Sequence, residues 1–252
     1  MKLRMRLVLL GLVAGILVCA NATSVRGDQN PAFTKANQDF SEGHFREAVD
    51  GYQALVQSGQ LSATLFYDLG NAWFRLGDFG RAILNYERAL AFDPHHPEAE
   101  ANLRLARDEA RALELKKNVI ERYIGAGTPT QYSIAASLAF WLALFLVARL
   151  VFLRRRSARV VALILLSLAV FAGAVFALYT LETGSNGRAL AIVTGKNIQA
   201  RLATADNANS VLVLPAGSEI KILSERGDWV YAALPNDLRG WIPASSAERV
   251  RL

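Results

Sequence analysis

Cysteine is almost absent from this 252-residue chain, since the single thiol is Cys19, inside an N-terminal apolar run. If that run is removed on export, the mature chain has no disulfide, cysteine-ligated metal or cysteine nucleophile. Histidine is also scarce, and His44, His95 and His96 all lie in predicted turns between helices. A zinc site would need further ligands converging there, so we expect no metal and no cofactor.

Catalytic signatures are missing as well. The sequence has no G-x-S-x-G, H-E-x-x-H or phosphate-binding glycine loop. Its carboxylates lie mostly beside arginines on predicted helix surfaces, as Asp108 does beside Arg111, which is typical of solvated charge pairs. We therefore expect a protein that is not an enzyme.

The net charge of +6 does not indicate a nucleic-acid surface. Residues 23–132 hold 12 Lys/Arg against 15 Asp/Glu, and residues 182–252 hold 8 against 7, so both segments are near neutral. The surplus lies at the N-terminus (Lys2, Arg4, Arg6) and around one short link (Arg149, Arg154, Arg155, Arg156, Arg159). Nucleic-acid binding would need cations clustered on a folded face, so no nucleic-acid partner is expected.

Residues 1–22 have the parts of a secretory signal peptide. A basic start precedes an apolar stretch at residues 7–20, and Ala20-Asn21-Ala22 offers an A-x-A cleavage site. An uncleaved anchor and lipidation at Cys19 are alternatives, although Val18 is bulkier than the residue that usually precedes a lipidated cysteine.

Two apolar blocks, residues 133–153 and 160–181, predict transmembrane helices. They contain 21 and 22 residues, and at about 1.5 Å per residue each crosses a hydrocarbon core of roughly 30 Å. The link at residues 154–159 carries Arg154, Arg155, Arg156 and Arg159. Short positive loops stay cytoplasmic, so the sequence predicts an inner-membrane hairpin with both flanking segments outside. Ala172, Gly173 and Ala174 could allow close helix packing, and a structural role of the hairpin itself is a further hypothesis.

An internal repeat of 34 residues precedes the first block. Within residues 65–94, aromatic, small and helix-ending residues stand in a definite order: Phe66, Leu69, Gly70, Trp73, Ala82, Tyr86, Ala89, Pro94. An upstream copy aligns Asn37, Phe40, Gly43, Phe45, Ala48 and Tyr52 with Asn71, Phe74, Gly77, Phe79, Ala82 and Tyr86. This pattern resembles the tetratricopeptide repeat. It predicts α-helical hairpins over residues 29–124, as two repeats plus a capping helix that continues through residues 109–123.

The repeat register predicts a concave partner-binding groove, lined by Phe33, Asn37, Phe40, Tyr67, Asn71 and Phe74. Asparagine amides there could bond a peptide backbone and the rings could supply apolar contact. Alternatively, Asn37 and Asn71 are merely common residues of the repeat. Two repeats make a marginal solenoid, so we expect stabilisation from a partner or from the membrane surface.

Residues 188–252 predict an all-β domain, with strands at residues 189–193, 210–214, 219–223 and 229–233. The order of V-L-P-A-G, G-D-W-V and G-W-I resembles the bacterial SH3-like barrel. Trp229, Tyr231 and Trp241 are the candidate aromatic surface. The competing interpretation packs Trp229 and Trp241 in the core, with Tyr231 on the same face of the strand as Trp229.

The sequence as a whole therefore predicts a multidomain membrane protein, with tetratricopeptide hairpins, a transmembrane helical hairpin and a C-terminal SH3-like barrel. This order resembles the BatE-like proteins of bacterial aerotolerance operons. The resemblance implies a non-catalytic envelope scaffold working beside von Willebrand A-type membrane proteins and a MoxR-type ATPase, with membrane lipid around its anchor. The alternative is a cell-wall protein that binds peptidoglycan through the barrel.

Overall fold

The computed structural model describes residues 30–153, 157–184 and 187–252. The predicted signal peptide of residues 1–22, Cys19, and Arg154, Arg155 and Arg156 of the predicted loop lie outside the described residues. Arg159 was predicted in that loop, but it lies in the first turn of a helix that begins at Ala158.

Five helices form the N-terminal unit: α1 (Pro31–Ser41), α2 (Phe45–Gln57), α3 (Ala63–Arg75), α4 (Phe79–Phe92) and α5 (Pro97–Ala110). Local chemistry sets their ends. The side chains of Ser62 and Asp78 accept hydrogen bonds from backbone N–H groups in the first turns of α3 and α4. Gly43 and Gly77, 34 residues apart, adopt positive φ angles of 84° and 73° in the turns within the helix pairs. The repeat in the sequence is thus a repeat in the structure.

The predicted continuous helix over residues 109–123 is wrong. Helix α5 ends at Ala110, Arg111 takes a left-handed φ of 51°, and residues 112–118 form neither helix nor strand before the short helix α6 (Val119–Ile124). The reason is tertiary, because the segment of residues 112–118 bonds to the C-terminal domain. The carbonyl of Leu113 accepts from the N–H of Glu219 at 2.8 Å.

Two long helices follow, α7 (Pro129–Leu153) and α8 (Ala158–Thr183), both long and apolar enough to cross a membrane. They pack antiparallel, with the rings of Phe140 and Phe171 5.9 Å apart. Small residues dominate their buried positions: Ala136, Ala139, Ala143 and Leu146 on α7, and Ser167, Ala174 and Ala177 on α8. Of the predicted small cluster, Ala174 is buried and Gly173 faces open space.

The C-terminal domain is one antiparallel sheet of seven strands in the order β3-β2-β6-β5-β4-β1-β7. The strands are β1 (Leu190–Val193), β2 (Ile198–Arg201), β3 (Ser210–Leu214), β4 (Glu219–Arg226), β5 (Trp229–Ala233), β6 (Arg239–Pro243) and β7 (Ala247–Arg249). The sheet curls around a core that includes Val193, Leu214, Ile220, Val230 and Ile242. The predicted strands at residues 210–214 and 229–233 match β3 and β5, whereas β2, β6 and β7 were not predicted.

The sheet docks directly on the helical repeats through β1, whose four residues are all buried. Side chains of a strand alternate between faces, so Ala191 and Val193 enter the sheet core while Leu190 and Ile192 face the helices. Leu190, Ile192 and Val250 form one apolar cluster with Ile83 and other residues of α4 and α5. The repeats were expected to need a partner or the membrane surface, but the same chain covers this face.

Candidate functional site

The predicted groove asparagines are held by tyrosines of the same repeats. The hydroxyl of Tyr52 donates to Asn37 Oδ1 at 2.7 Å, and that of Tyr86 donates to Asn71 Oδ1 at 2.8 Å. Both pairs are 15 residues apart in sequence, and the two pairs are related by the 34-residue shift. Asn71 Oδ1 also accepts from Asn102 Nδ2 at 2.9 Å. These asparagine oxygens therefore tie helices together, which agrees with the structural alternative for Asn37 and Asn71.

Gly70 lets the two helices of the second repeat approach closely, whereas the equivalent position of the first repeat is Ala36. A Cβ at this position would lie 2.7 Å from the ring of Tyr86, so only glycine lets α3 approach α4 this closely. The contact holds the Tyr86 ring beside the groove. Burial raises the pKa of the Tyr86 phenol, so its hydroxyl remains a hydrogen-bond donor at neutral pH.

The groove has a volume of about 280 Å³ between α1, α3, α4 and α5. The structure brings four predicted residues together in its wall: Phe40, Tyr67, Asn71 and Phe74. The placement of Phe33 in the groove is wrong, because its ring packs against Tyr52 between α1 and α2 and is 9% exposed. Asn37 is exposed and does not line the cavity.

Four further lining residues were not predicted, namely Arg75, Tyr86, Asn102 and Leu105. Asn102 and Leu105 belong to α5, which occupies the place of the first helix of a third repeat. Continuing the 34-residue shift from Asn37 and Asn71 would have found Leu105, but not Asn102, which aligns with Asp68. Arg75 places a positive charge at the rim, with its guanidinium 4.5 Å from the ring centre of Phe45, and Leu105 is half exposed.

The second candidate surface is an aromatic strip on the outer face of the sheet. Tyr231 on β5 lies opposite Trp241 on β6, with ring centres 5.0 Å apart, and Trp229 projects from the same face. The core interpretation of Trp229 and Trp241 is wrong, since both are only partly buried. The intervening residues fill the core instead (Val230, Ala232 and Ile242).

A buried ion cluster joins the helices to the sheet and was not predicted. Arg107 on α5 pairs with Glu87 on α4 at 2.5 Å and with Glu219 on β4. Glu114 approaches Arg107 at 3.6 Å, and the N–H of Leu115 donates to Glu219 Oε2 at 3.0 Å. Burial, aided by the competing carboxylate of Glu219, raises the pKa of Glu87 to about 7 although Arg107 opposes the shift.

Asp39, Glu42 and His44 are the described residues whose side chains come close enough to share a cation, with ligand atoms within 4.8 Å of one another. Lys35 pairs with Asp39 at 2.8 Å and His44 lies 3.5 Å from Glu42. Because the cluster is mostly exposed and its charges are paired within the protein, we assign it no metal role.

Comparison with known proteins supports the repeat. The family model described as tetratricopeptide repeat matches residues 63–96, which contain α3 and α4. No curated protein matches the chain. The chain thus contains a tetratricopeptide repeat, two helices able to span a membrane and a C-terminal antiparallel sheet, and the repeat points in general to protein partners.

Proposed function

We propose that this chain is a non-catalytic adaptor of the bacterial envelope that holds a segment of a partner protein in its tetratricopeptide groove. The open groove carries this proposal. Phe40, Tyr67 and Phe74 offer aromatic surface, while Asn102 and Arg75 offer polar groups for a peptide. Among the described residues, none from the sheet lines the groove, so docking of the sheet leaves it accessible.

The α7–α8 hairpin is the proposed anchor in the inner membrane. An antiparallel pair returns the chain to the side from which it entered, so residues 30–124 and 187–252 share one compartment. Their direct packing through Ile83 and Ile192 supports this topology. The arginine-rich link at residues 154–159 favours the cytoplasmic side for the loop, which makes the shared compartment the periplasm or its equivalent.

The C-terminal sheet is proposed to be an SH3-like module. The resemblance to BatE-like proteins suggests von Willebrand A-type membrane proteins and a MoxR-type ATPase system as partners, in aerotolerance or stress resistance. A membrane-anchored partner suits the geometry, since tethering both proteins to one membrane raises their effective concentration.

Photocrosslinking in cells tests the groove. Benzoylphenylalanine placed at Leu105, at the groove rim, should capture a defined partner band. The same group at Leu76, which is 38% exposed and does not line the groove, is the control. Equal capture at both positions, or none at Leu105 with the protein properly folded, contradicts the proposal.

Charge reversal gives a second test that preserves the internal hydrogen bonds. Arg75→Glu with Leu105→Glu changes two exposed rim residues and leaves the Tyr86–Asn71–Asn102 network in place. It should abolish the crosslink at a third groove position, Phe40, whereas Leu76→Glu should not. Retained crosslinking in the double variant would show that the partner does not use this rim.

The alternative function is binding of peptidoglycan through the aromatic strip. The outward placement of Tyr231 and Trp241 favours it, because aromatic faces pack well on sugar rings. Purified full-length chain should then sediment with sacculi, and Trp241→Ala should release it while Leu238→Ala, at an exposed residue just before β6, should not. Equal sedimentation of both variants contradicts this function without touching the groove proposal.

A further inference from the structure

The short helix α6 exposes apolar side chains although it lies outside the two long helices. Val119, Ile120 and Tyr123 are 59%, 50% and 78% exposed. At about 100° per residue these three positions share one side of the helix, and Glu121 is on the opposite side. Exposing an apolar surface of this kind to water costs free energy. The apolar side of α6 therefore needs something other than water to cover it.

The structure places α6 at the ends of the α7–α8 hairpin. Helix α6 packs against α8, and a Cβ on Gly184, just beyond α8, would lie 3.0 Å from Glu121 Oε1. At the start of α7, the hydroxyl of Tyr132 donates to the carbonyl of Ile124 at 3.0 Å. Helix α6 is therefore held at the level where both long helices leave their apolar surroundings, with Glu121 towards the protein and the apolar side turned away.

Charge and aromatic residues at this level match a lipid headgroup region. Lys116, Lys117 and Arg122 are exposed around α6, and Tyr123 and Tyr179 expose rings near the same end of the hairpin. Tyrosine favours the membrane–water interface, and exposed lysine and arginine beside an apolar helix face favour anionic lipid.

We propose that α6 is an interfacial anchor that lies in the outer headgroup layer of an anionic phospholipid bilayer. Its apolar side enters the acyl boundary, and Lys116, Lys117 and Arg122 contact lipid phosphates. Since residues 112–118 bond to Ser218 and Glu219, the anchor fixes how the whole outer unit is oriented on the membrane. This inference depends on the hairpin spanning the bilayer and not on the groove function.

Spin labels on single cysteines test the anchor in the full-length chain reconstituted in nanodiscs. In a Cys19→Ser background, the label is placed by Tyr123→Cys, with Leu142→Cys in mid-α7 and Leu76→Cys on the repeats as references. Collisions with oxygen report the bilayer, and collisions with a water-soluble nickel complex report solvent. We expect Leu142→Cys to report the bilayer, Leu76→Cys to report water, and Tyr123→Cys to lie between them.

Two results would overturn the proposal and are distinguishable. If Tyr123→Cys matches Leu76→Cys while Leu142→Cys reports the bilayer, the hairpin spans but α6 is not an anchor. If Leu142→Cys also reports water, the hairpin does not span and the anchor fails with it. Neither result bears on crosslinking at Leu105.

Lipid charge tests the headgroup contact separately. Replacing phosphatidylcholine by phosphatidylglycerol should lower the nickel collision rate of Tyr123→Cys by about twofold or more. Adding Lys116→Gln, Lys117→Gln and Arg122→Gln should remove that difference, whereas Lys196→Gln, in the turn between β1 and β2, should not. A lipid response that is absent, or unchanged by the triple variant, overturns the phosphate contact.

Discussion

Arg107 of α5 and Glu219 of β4 form an ion pair across the junction between the helical repeats and the sheet, 112 residues apart in sequence. Their side chains are 15% and 3% exposed. The same guanidinium holds Glu87, so one cation serves carboxylates from two domains. The helical repeats and the sheet are therefore a single packed body in which the groove and the aromatic strip keep a fixed relation.

Removing Arg107 should destabilise this body strongly. Arg107→Ala leaves Glu87 and Glu219 buried without their cation, and breaking a buried ion pair typically costs about 3–5 kcal/mol of unfolding free energy. Arg104→Ala, on the same helix, breaks the exposed pair with Glu100 and should cost less than about 1 kcal/mol. Urea unfolding of the detergent-solubilised chain measures both, and similar losses would show that the junction cluster contributes no more than a surface pair.

Stability should fall as pH rises from about 4.5 to about 7. Folded Glu87 has its pKa raised to about 7 from an ordinary 4.5, so in this window the folded state holds a proton that the unfolded state has released. The stabilising contribution of protonated Glu87 is complete below about pH 4.5 and is lost as the pH rises through about 7. Unfolding midpoints across pH 4–8 measure it.

The matched variant for this pH dependence is Glu87→Gln, which cannot titrate. Asp68 also makes the folded state less stable as the pH rises, because burial raises its pKa to about 6. This effect is the same in the parent and in the variant, since both keep Asp68. The difference between parent and variant isolates Glu87 and should amount to a few kcal/mol over the window, on the order of 1.4 kcal/mol per pKa unit. Parallel pH profiles would contradict the assignment.

Gly217→Ala should lower the free energy of unfolding more than Gly227→Ala does. Both glycines have positive φ angles, 84° and 57°, and alanine pays roughly 1–2 kcal/mol of backbone strain at such positions. A Cβ on Gly217 would also collide with Ile83 of α4, while Gly227 faces open space. Chemical unfolding should show the larger loss for Gly217→Ala, and equal losses would mean that Ile83 moves aside freely.

The sheet domain should self-associate when it is produced without the helices. Residues 187–252 without the helices expose Leu190, Ile192 and Val250, which are now 2%, 0% and 4% exposed. We expect self-association and strong binding of a hydrophobic dye, both reduced by Leu190→Thr with Ile192→Thr. The control Val213→Thr changes a residue that is already 48% exposed and should have little effect. If the unsubstituted fragment is monomeric and binds no dye, the sheet does not need the helices to cover its apolar residues.

Sequence periodicity predicted the helices of the repeats well because their signals are local. Ala82 and Tyr86 recur 34 residues upstream as Ala48 and Tyr52, and the Tyr86–Asn71 bond follows from that register. The same reasoning failed for Phe33, which lies on the correct helix but faces α2. It failed for Trp241 because aromatic type alone does not say which face of a strand is covered.

The amino-acid sequence by itself determined the repeat, the two apolar helices and the presence of a C-terminal sheet, since each depends on short-range spacing of apolar, small and turn residues. Only the tertiary structure decided that the sheet docks on α4 and α5, that α5 stops at Ala110, and that Arg107 meets Glu219. The physical reason is that these features minimise exposed apolar area and unpaired charge between segments over 100 residues apart. No local pattern encodes that pairing.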